Sequence, residues 1–506
     1  ATEVYGGISY AGNTTANNHL TVTGVQGNLT SAYGGKTAGA KGDAVKNRVT
    51  VEQTGTGAIS NVFGGYTSSA EATAKAEDNT ATIQGGTFGA VYGGYAENAA
   101  SATGNHVFIE GGTVQTAVVG GGGKSTATGA MSGNDVTITG GTVTGYVIGG
   151  DTRLLASTSN KNIINLGDDA GKYAANLSGA EVWGTSYGGK VLANTDAKIA
   201  GNTLNVKAKD GVTLKKVRNV EKFNFQIVDD TTKTAPLLNL TEAGGFGKVT
   251  ADNSDVMVKW ANVAADLSKV TTEKEAAKIQ GRNTYTLMRA ADNSLKFSDY
   301  AARYAVHGGV YETGLRTDTN AATAKEVLYD VNRFKDGRVT YTAASTGEAL
   351  GGYSAFGNTT EGNELTLAGA TGTLAAAYGG QTAGAMGNSV NNKVTLKDTG
   401  TGSIANVYGG AITKAANGAN ATGNTVTLAG GKVTGAVYGG FAAGSGKTTG
   451  NTVNIGADPT TLRQGDASTL AARTNFAAAE LYGGNKADAA GNTLNVTVKD
   501  AAAKKA

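Results

Sequence analysis

The chain has no cysteine, 2 prolines and 3 histidines in 506 residues. Without cysteine there is no disulfide framework and no thiolate metal site. Two prolines beside 78 glycines exclude collagen and proline-rich linkers, and glycine without proline suits tight turns between paired strands. Charge is scarce: 16% of residues, for a net +3, against an ordinary share of about 25%. The surface must therefore be built of Thr, Asn, Ser, Ala and Gly, and no nucleic-acid partner is expected. No apolar run approaches the ~18 residues that span a bilayer. The histidines His19, His106 and His307 are scattered, and the first two stand at outward positions where solvation is expected. There is no HExxH, GxSxG, P-loop or short-period GGxGxD calcium repeat. We expect no catalytic residue, no metal and no cofactor. The acidic pairs Asp168-Asp169 and Asp229-Asp230 come nearest to calcium ligands, but adjacent carboxylates usually mark a solvated turn.

What the chain does have is a repeat. Gly133-Asn134-Asp135-Val136-Thr137-Ile138 leads to Val147-Ile148-Gly149-Gly150, and Gly423-Asn424-Thr425-Val426-Thr427-Leu428 leads to Val437-Tyr438-Gly439-Gly440. The Asn recurs as Asn18, Asn47, Asn79, Asn105, Asn134, Asn162 and Asn202, then as Asn363, Asn392, Asn424, Asn451 and Asn492. Each has apolar residues two and four positions later. Strand side chains alternate faces, so the Asn and its apolar followers share the inner face. Stacked coils would then join the amides into a ladder, as in parallel in-register sheets. The residue three after the Asn faces outward. It is Thr21, Thr50, Thr82, Thr137, Thr366, Thr395 or Thr427, or Asn165, Asn205, Asn454 or Asn495, and once Phe108.

A second column precedes Gly-Gly: Tyr5, Tyr33, Phe63, Tyr92, Tyr187, Tyr378, Tyr408, Tyr438 and Tyr482, with Val119, Ile148 and Leu350 as substitutes. The aliphatic substitutes favour a place in the core over an exposed glycan-stacking ladder. One coil takes about 29 residues, too Gly-rich for helices. A propeller blade needs ~40–45 residues, and the leucine-rich consensus is missing. The fold expected is all-β, a right-handed parallel β-helix in two blocks, 1–211 and 346–506. Ser31–Ala40 matches Ala376–Ala385, and Gly201–Val206 matches Gly491–Val496, so the blocks are duplicates differing by whole coils. A divergent segment, 212–345, joins them. It carries the strand-like stretches Val220–Ile227, Val256–Trp260 and Tyr285–Arg289, and a candidate helix, Thr271–Ile279, capped by Thr272.

The GN-x-V-T-I-x-GG-x-V and V-Y-GG coils, followed by Val217-Arg218-Asn219-Val220-Glu221-Lys222-Phe223-Asn224-Phe225, resemble passenger regions of Gram-negative autotransporter adhesins. The resemblance covers roughly 1–211 and 346–506. It implies a right-handed β-helix, export to the outside of the bacterial cell surface, and adhesion or self-association. The family's C-terminal membrane barrel is missing, so attachment is expected outside this chain or by another mechanism. The chain enters a repeat at Ala1–Gly7, which leads us to expect a removed leader or an excerpt of something longer.

Three functions compete. The first is an extracellular structural or adhesive surface protein, whose partners are copies of itself in an oligomer or filament, a host or neighbouring cell surface, or a glycan. The second is a polysaccharide-active β-helical enzyme, against which stands the lack of paired acids in a column. The third is an ice-binding solenoid, which needs unbroken Thr-x-Thr ranks. Here Arg48, Asp135, Glu364 and Lys393 interrupt them. The first is the reading expected. Open strand edges would let coils join end to end.

Overall fold

The computed structural model describes residues 2–53, 55–124, 127–153, 157–192, 197–228, 231–244, 262–268, 280–292, 295–296, 303–319, 323–342, 346–369, 372–399, 401–414, 418–456, 474–475, 480–485 and 489–496. Val256–Trp260, the candidate helix Thr271–Ile279, Asp229-Asp230, Ala1 and the 501–506 tail lie outside them. The protein is an all-β solenoid of about 13 turns of roughly 29 residues. Among the described residues helix is confined to 3-10 conformation, at Ala197–Ile199 and at Asn262.

The chain divides into two compact units. The first comprises Ala1–Lys269, Tyr285–Ala302 and Arg316–Leu328, and the second Val270–Thr284, Arg303–Leu315 and Tyr329–Ala506. In the first, each of the first four coils contributes a long strand, a short strand and a four-residue strand to three parallel sheets, and later coils continue the long-strand and four-residue sheets. Leu29–Thr37, Ala44–Val45 and Arg48–Val51 make one such set; Ile59–Thr67, Lys75–Glu77 and Thr80–Ile83 make the next. Register is kept from coil to coil: Arg48 pairs Thr80, Thr80 pairs His106, and His106 pairs Asp135. The strand Lys222–Gln226 continues this sheet in register with Thr203–Val206, and Val263–Asp266 follows it.

The inner residues of these strands fill the core. Val62, Val91, Val118 and Val147 are buried from the long strands, and Val107, Ile109, Val136 and Ile138 from the short ones. Alternation turns these residues to one face of each strand, and stacking coils closes that face against itself.

The second unit repeats the plan. Glu364–Ala368, Lys393–Asp398, Thr425–Leu428 and Thr452–Ile455 stack in one parallel sheet, and Thr373–Thr382, Ser403–Ile412 and Ala436–Ala442 in another. Its core joins Leu365, Leu367, Val394, Leu396, Val407, Val426, Leu428 and Val437. An antiparallel hairpin, running from Arg303 opposite Leu315 to His307 opposite Tyr311, also belongs to this unit.

Candidate functional site: stacked columns inside and outside the coils

The inner Asn residues form two hydrogen-bonded rows. Asn79 Nδ2 donates to Asn105 Oδ1 at 3.0 Å, Asn105 to Asn134 at 3.0 Å, and Asn134 to Asn162 at 3.1 Å. In the second unit Asn363 donates to Asn392 at 2.7 Å, Asn392 to Asn424 at 3.0 Å, and Asn424 to Asn451 at 2.9 Å. Asn18, Asn47, Asn162 with Asn202, and Asn451 with Asn492 extend the rows. Within the rows an Oδ1 also accepts the backbone N–H of the preceding Asn, and most Nδ2 groups give their second hydrogen to a carbonyl, such as Ala76 O from Asn105. Buried amides require this full pairing.

Two further features build the corner, and neither is visible in the Asn pattern alone. The residue before every ladder Asn has positive φ. It is glycine at Gly104, Gly133, Gly201, Gly362, Gly423, Gly450 and Gly491, but also Asn17, Lys46, Asp78, Lys161 and Asn391. The second glycine of the Gly-Gly pair lies under the ladder. A Cβ at Gly94 would fall inside the Asn105 amide, and one at Gly380 inside that of Asn392. The two sequence motifs are therefore opposite sides of one contact.

The aromatic column lies on the outer face of the long-strand sheet, where Tyr33, Phe63 and Tyr378 are nevertheless buried, Tyr378 in a hydrophobic cluster separate from the inner one. The neighbours before the rings, Ala32, Val62 and Val91, point inward and are buried, and alternation turns Tyr33, Phe63 and Tyr92 outward. Burial comes from the rings themselves. Tyr33 and Phe63 stack at 5.0 Å, Phe63 and Tyr92 at 5.0 Å, and Tyr5 and Tyr33 at 5.2 Å. Tyr66 and Tyr95 form a second rank, stacked at 5.6 Å and edge-on to the first. In the second unit Tyr378, Tyr408, Tyr438 and Tyr482 stack at 4.8, 5.2 and 4.9 Å, with Phe441 edge-on to Tyr438. Because ring faces cover one another, the ladder shows mostly edges, so stacking along it is closed to a sugar face.

Tyr187 does not belong to this column. Ile148 pairs Trp183, Gly150 pairs Thr185, and Thr152 pairs Tyr187. Trp183 takes the aromatic place, and Tyr187 turns inward, buried, where its hydroxyl accepts from Ser159 N at 3.0 Å. Gly188 and Gly189 form the following turn, with φ of 61° and 80°.

Electrostatics follow burial. Desolvation pushes the Tyr92 phenol up to about 12 and also raises Tyr66, Tyr95, Tyr378 and Tyr408, so these rings stay neutral. Lys36 Nζ stands 4.4 Å from the Tyr33 ring centroid and 3.3 Å from Glu3 Oε2. Asp151 is raised, first by desolvation, with Ser186 and Arg153 opposing.

The outward polar column is more occupied than its sequence implies. Asn165 is buried, Asn205 Nδ2 donates to Asn165 Oδ1 at 2.7 Å, and Asn224 Nδ2 to Asn205 Oδ1 at 2.9 Å. His106 is half-buried against Phe108 rather than solvated, and His307 meets Thr313 Oγ1 at 2.9 Å. His19 is exposed, as its outward position predicts. Asp168 accepts from the backbone of Ala170 and Lys172, and Asp169 from Lys207 Nζ at 2.7 Å. Sequence reasoning missed Glu312, a buried carboxylate held by Asn332 Nδ2, Ser354 Oγ, Ala355 N and Asn358 Nδ2. A lone Glu in a short strand carries no signal of such a cage.

The chain matches no protein-family model, no curated protein and no solved structure.

Proposed function

We propose that the protein is an extracellular structural and adhesive surface protein, working through adhesion, self-association or filament formation rather than catalysis. This reading places it on the outside of a bacterial cell, in keeping with the resemblance to autotransporter passenger regions. The supporting observation is the register: the same outer position recurs coil after coil, as Tyr33–Phe63–Tyr92 and Arg48–Thr80–His106 show. A periodic surface offers many equivalent weak contacts, and contacts made in parallel multiply. An enzyme instead concentrates convergent groups in a cleft.

Beads coated with the purified chain test it. They are expected to clump with one another or to be retained on cell layers, while albumin-coated beads are not. Neither behaviour, together with release of reducing ends from a polysaccharide panel, would replace adhesion with the enzymatic reading.

A further inference from the structure

Three neighbouring strands of the first unit line up around the one break in the polar column, where Phe108 stands in place of Thr or Asn. Arg48, Thr80 and His106 stand in register, and so do Thr50, Thr82 and Phe108. The order is long, short, long. Arg48 rises on one side. The His106 and Phe108 rings, with centroids 6.4 Å apart and planes within 16°, rise on the other. Thr80 and Thr82 lie between as a floor. With Thr50 and Gln84 these residues line an open trough of about 460 Å³, within the ~300–1,000 Å³ range of ligand clefts.

Charge gives the trough a direction. The Arg48 guanidinium makes no ion pair or hydrogen bond among the described residues, and it is exposed. Past the other end of the short strands, Glu52 and Glu110 flank Gln84, whose Nε2 donates to Glu110 Oε2 at 3.1 Å. Asp135, next to His106, already accepts from Asn165 and Thr137. An anionic group is thus favoured at Arg48 and repelled beside Gln84.

We propose that this trough binds an acidic saccharide, a carboxylate-bearing sugar unit of a glycan chain. The inference rests on the adhesive reading and names its ligand class. A pyranose has an apolar C–H face for the Phe108 and His106 rings and hydroxyls for Thr80, Thr82 and Gln84. Its carboxylate meets Arg48, whose planar fork matches it. A chain with charge on every side, such as a nucleic acid or a densely sulfated glycan, would press anions against Glu52 and Glu110. The second unit holds an internal control. Lys393 pairs Thr425, and Thr425 pairs Thr452, while Thr395, Thr427 and Asn454 lie in register. There the cation and Thr floor recur without a ring wall.

Calorimetric titration of the full chain with an otherwise neutral hexasaccharide carrying one galacturonic acid unit, a neutral glucose hexamer and a heparin hexamer tests the site. Galacturonate binding is expected, weakened at least tenfold by Phe108→Thr, which restores the column's common residue, and by Arg48→Gln. Lys393→Gln is expected to leave it unchanged. Equal galacturonate binding by the unaltered chain and Phe108→Thr overturns the proposal. So does tighter binding of the neutral or the sulfated hexamer, and so does an equal loss with Lys393→Gln. Coated beads of the same variants separate the two readings. Adhesion without any galacturonate binding overturns the trough and leaves adhesion standing. Phe108-dependent binding without adhesion supports the trough and removes the adhesive role.

Discussion

Asn105 donates twice to one atom: its backbone N and its Nδ2 both lie 3.0 Å from Asn134 Oδ1. Asn134 in turn donates to Asn162 Oδ1 and to Ala102 O. Asn134→Ala therefore strands groups on both sides, at ~1–3 kcal/mol for each buried group left unpaired. Asp135→Ala, on the opposite face, removes the bond to Asn165 but strands nothing in the core, so a loss of about 1 kcal/mol is expected. Urea denaturation of the two variants checks this, and equal losses would refute the division of faces.

Gly133 has a φ of 69°, and a Cβ there would meet no atom within 4 Å. Only backbone strain is added by Gly133→Ala, which should destabilise by ~1–2 kcal/mol. Lys161 occupies the equivalent corner at a φ of 56°. Lys161→Gly should gain up to about 1 kcal/mol by releasing the same strain, less the entropy that glycine brings to the unfolded chain. Opposite shifts in melting temperature are the expected readout.

Gly94→Ala tests the contact between the two motifs. Its Cβ would enter the Asn105 amide, displacing a side chain that bridges three coils. Over-packing of this kind costs typically 1–3 kcal/mol, and protection of the neighbouring amides from hydrogen exchange should fall with it.

Asp151 keeps a buried Oδ1 without a hydrogen-bond partner, and Arg153 Nε is 3.9 Å from Oδ2. Desolvation, the largest influence, raises its folded pKa above the ordinary 3.8. The folded chain then holds the proton more tightly than the unfolded one. Stability from this group is present below the unfolded value and lost as pH rises through the folded value. Asp151→Asn should stabilise the chain at neutral pH by on the order of 1 kcal/mol. That gain should fade toward pH 3, where Asp151 is itself neutral. A melting series over pH 3–7 reads it directly.

Parity carried much of this structure. Asn134, Val136 and Ile138 had to share a face, and the face with two apolar residues had to be the core. What parity misses is contact across a turn. Nothing in Tyr92-Gly93-Gly94 announces that Asn105 folds back onto Gly94. Tyr187 misleads for a related reason: the string Tyr-Gly-Gly is there, but the strand had used its register at Trp183. The aromatic column escaped because its burial is collective. Phe63 is shielded by Tyr33, Tyr66, Tyr92 and Tyr95, not by its own position, so single-strand alternation reports an outer residue and composition reports an inner one. Glu312 shows the limit from the other side, since its partners come from two separate segments, Asn332 and Ser354–Asn358.

The ladder also acts as a proofreader. A coil whose successor has not yet docked holds out two N–H donors at a fixed corner. One inward oxygen in register satisfies both. A slip by one residue would bring the flanking Gly133 or Asp135 to that corner and turn every apolar side chain of the strand to the wrong face. The register between neighbouring coils thus rests on a single atom, and a coil out of register leaves two buried donors empty.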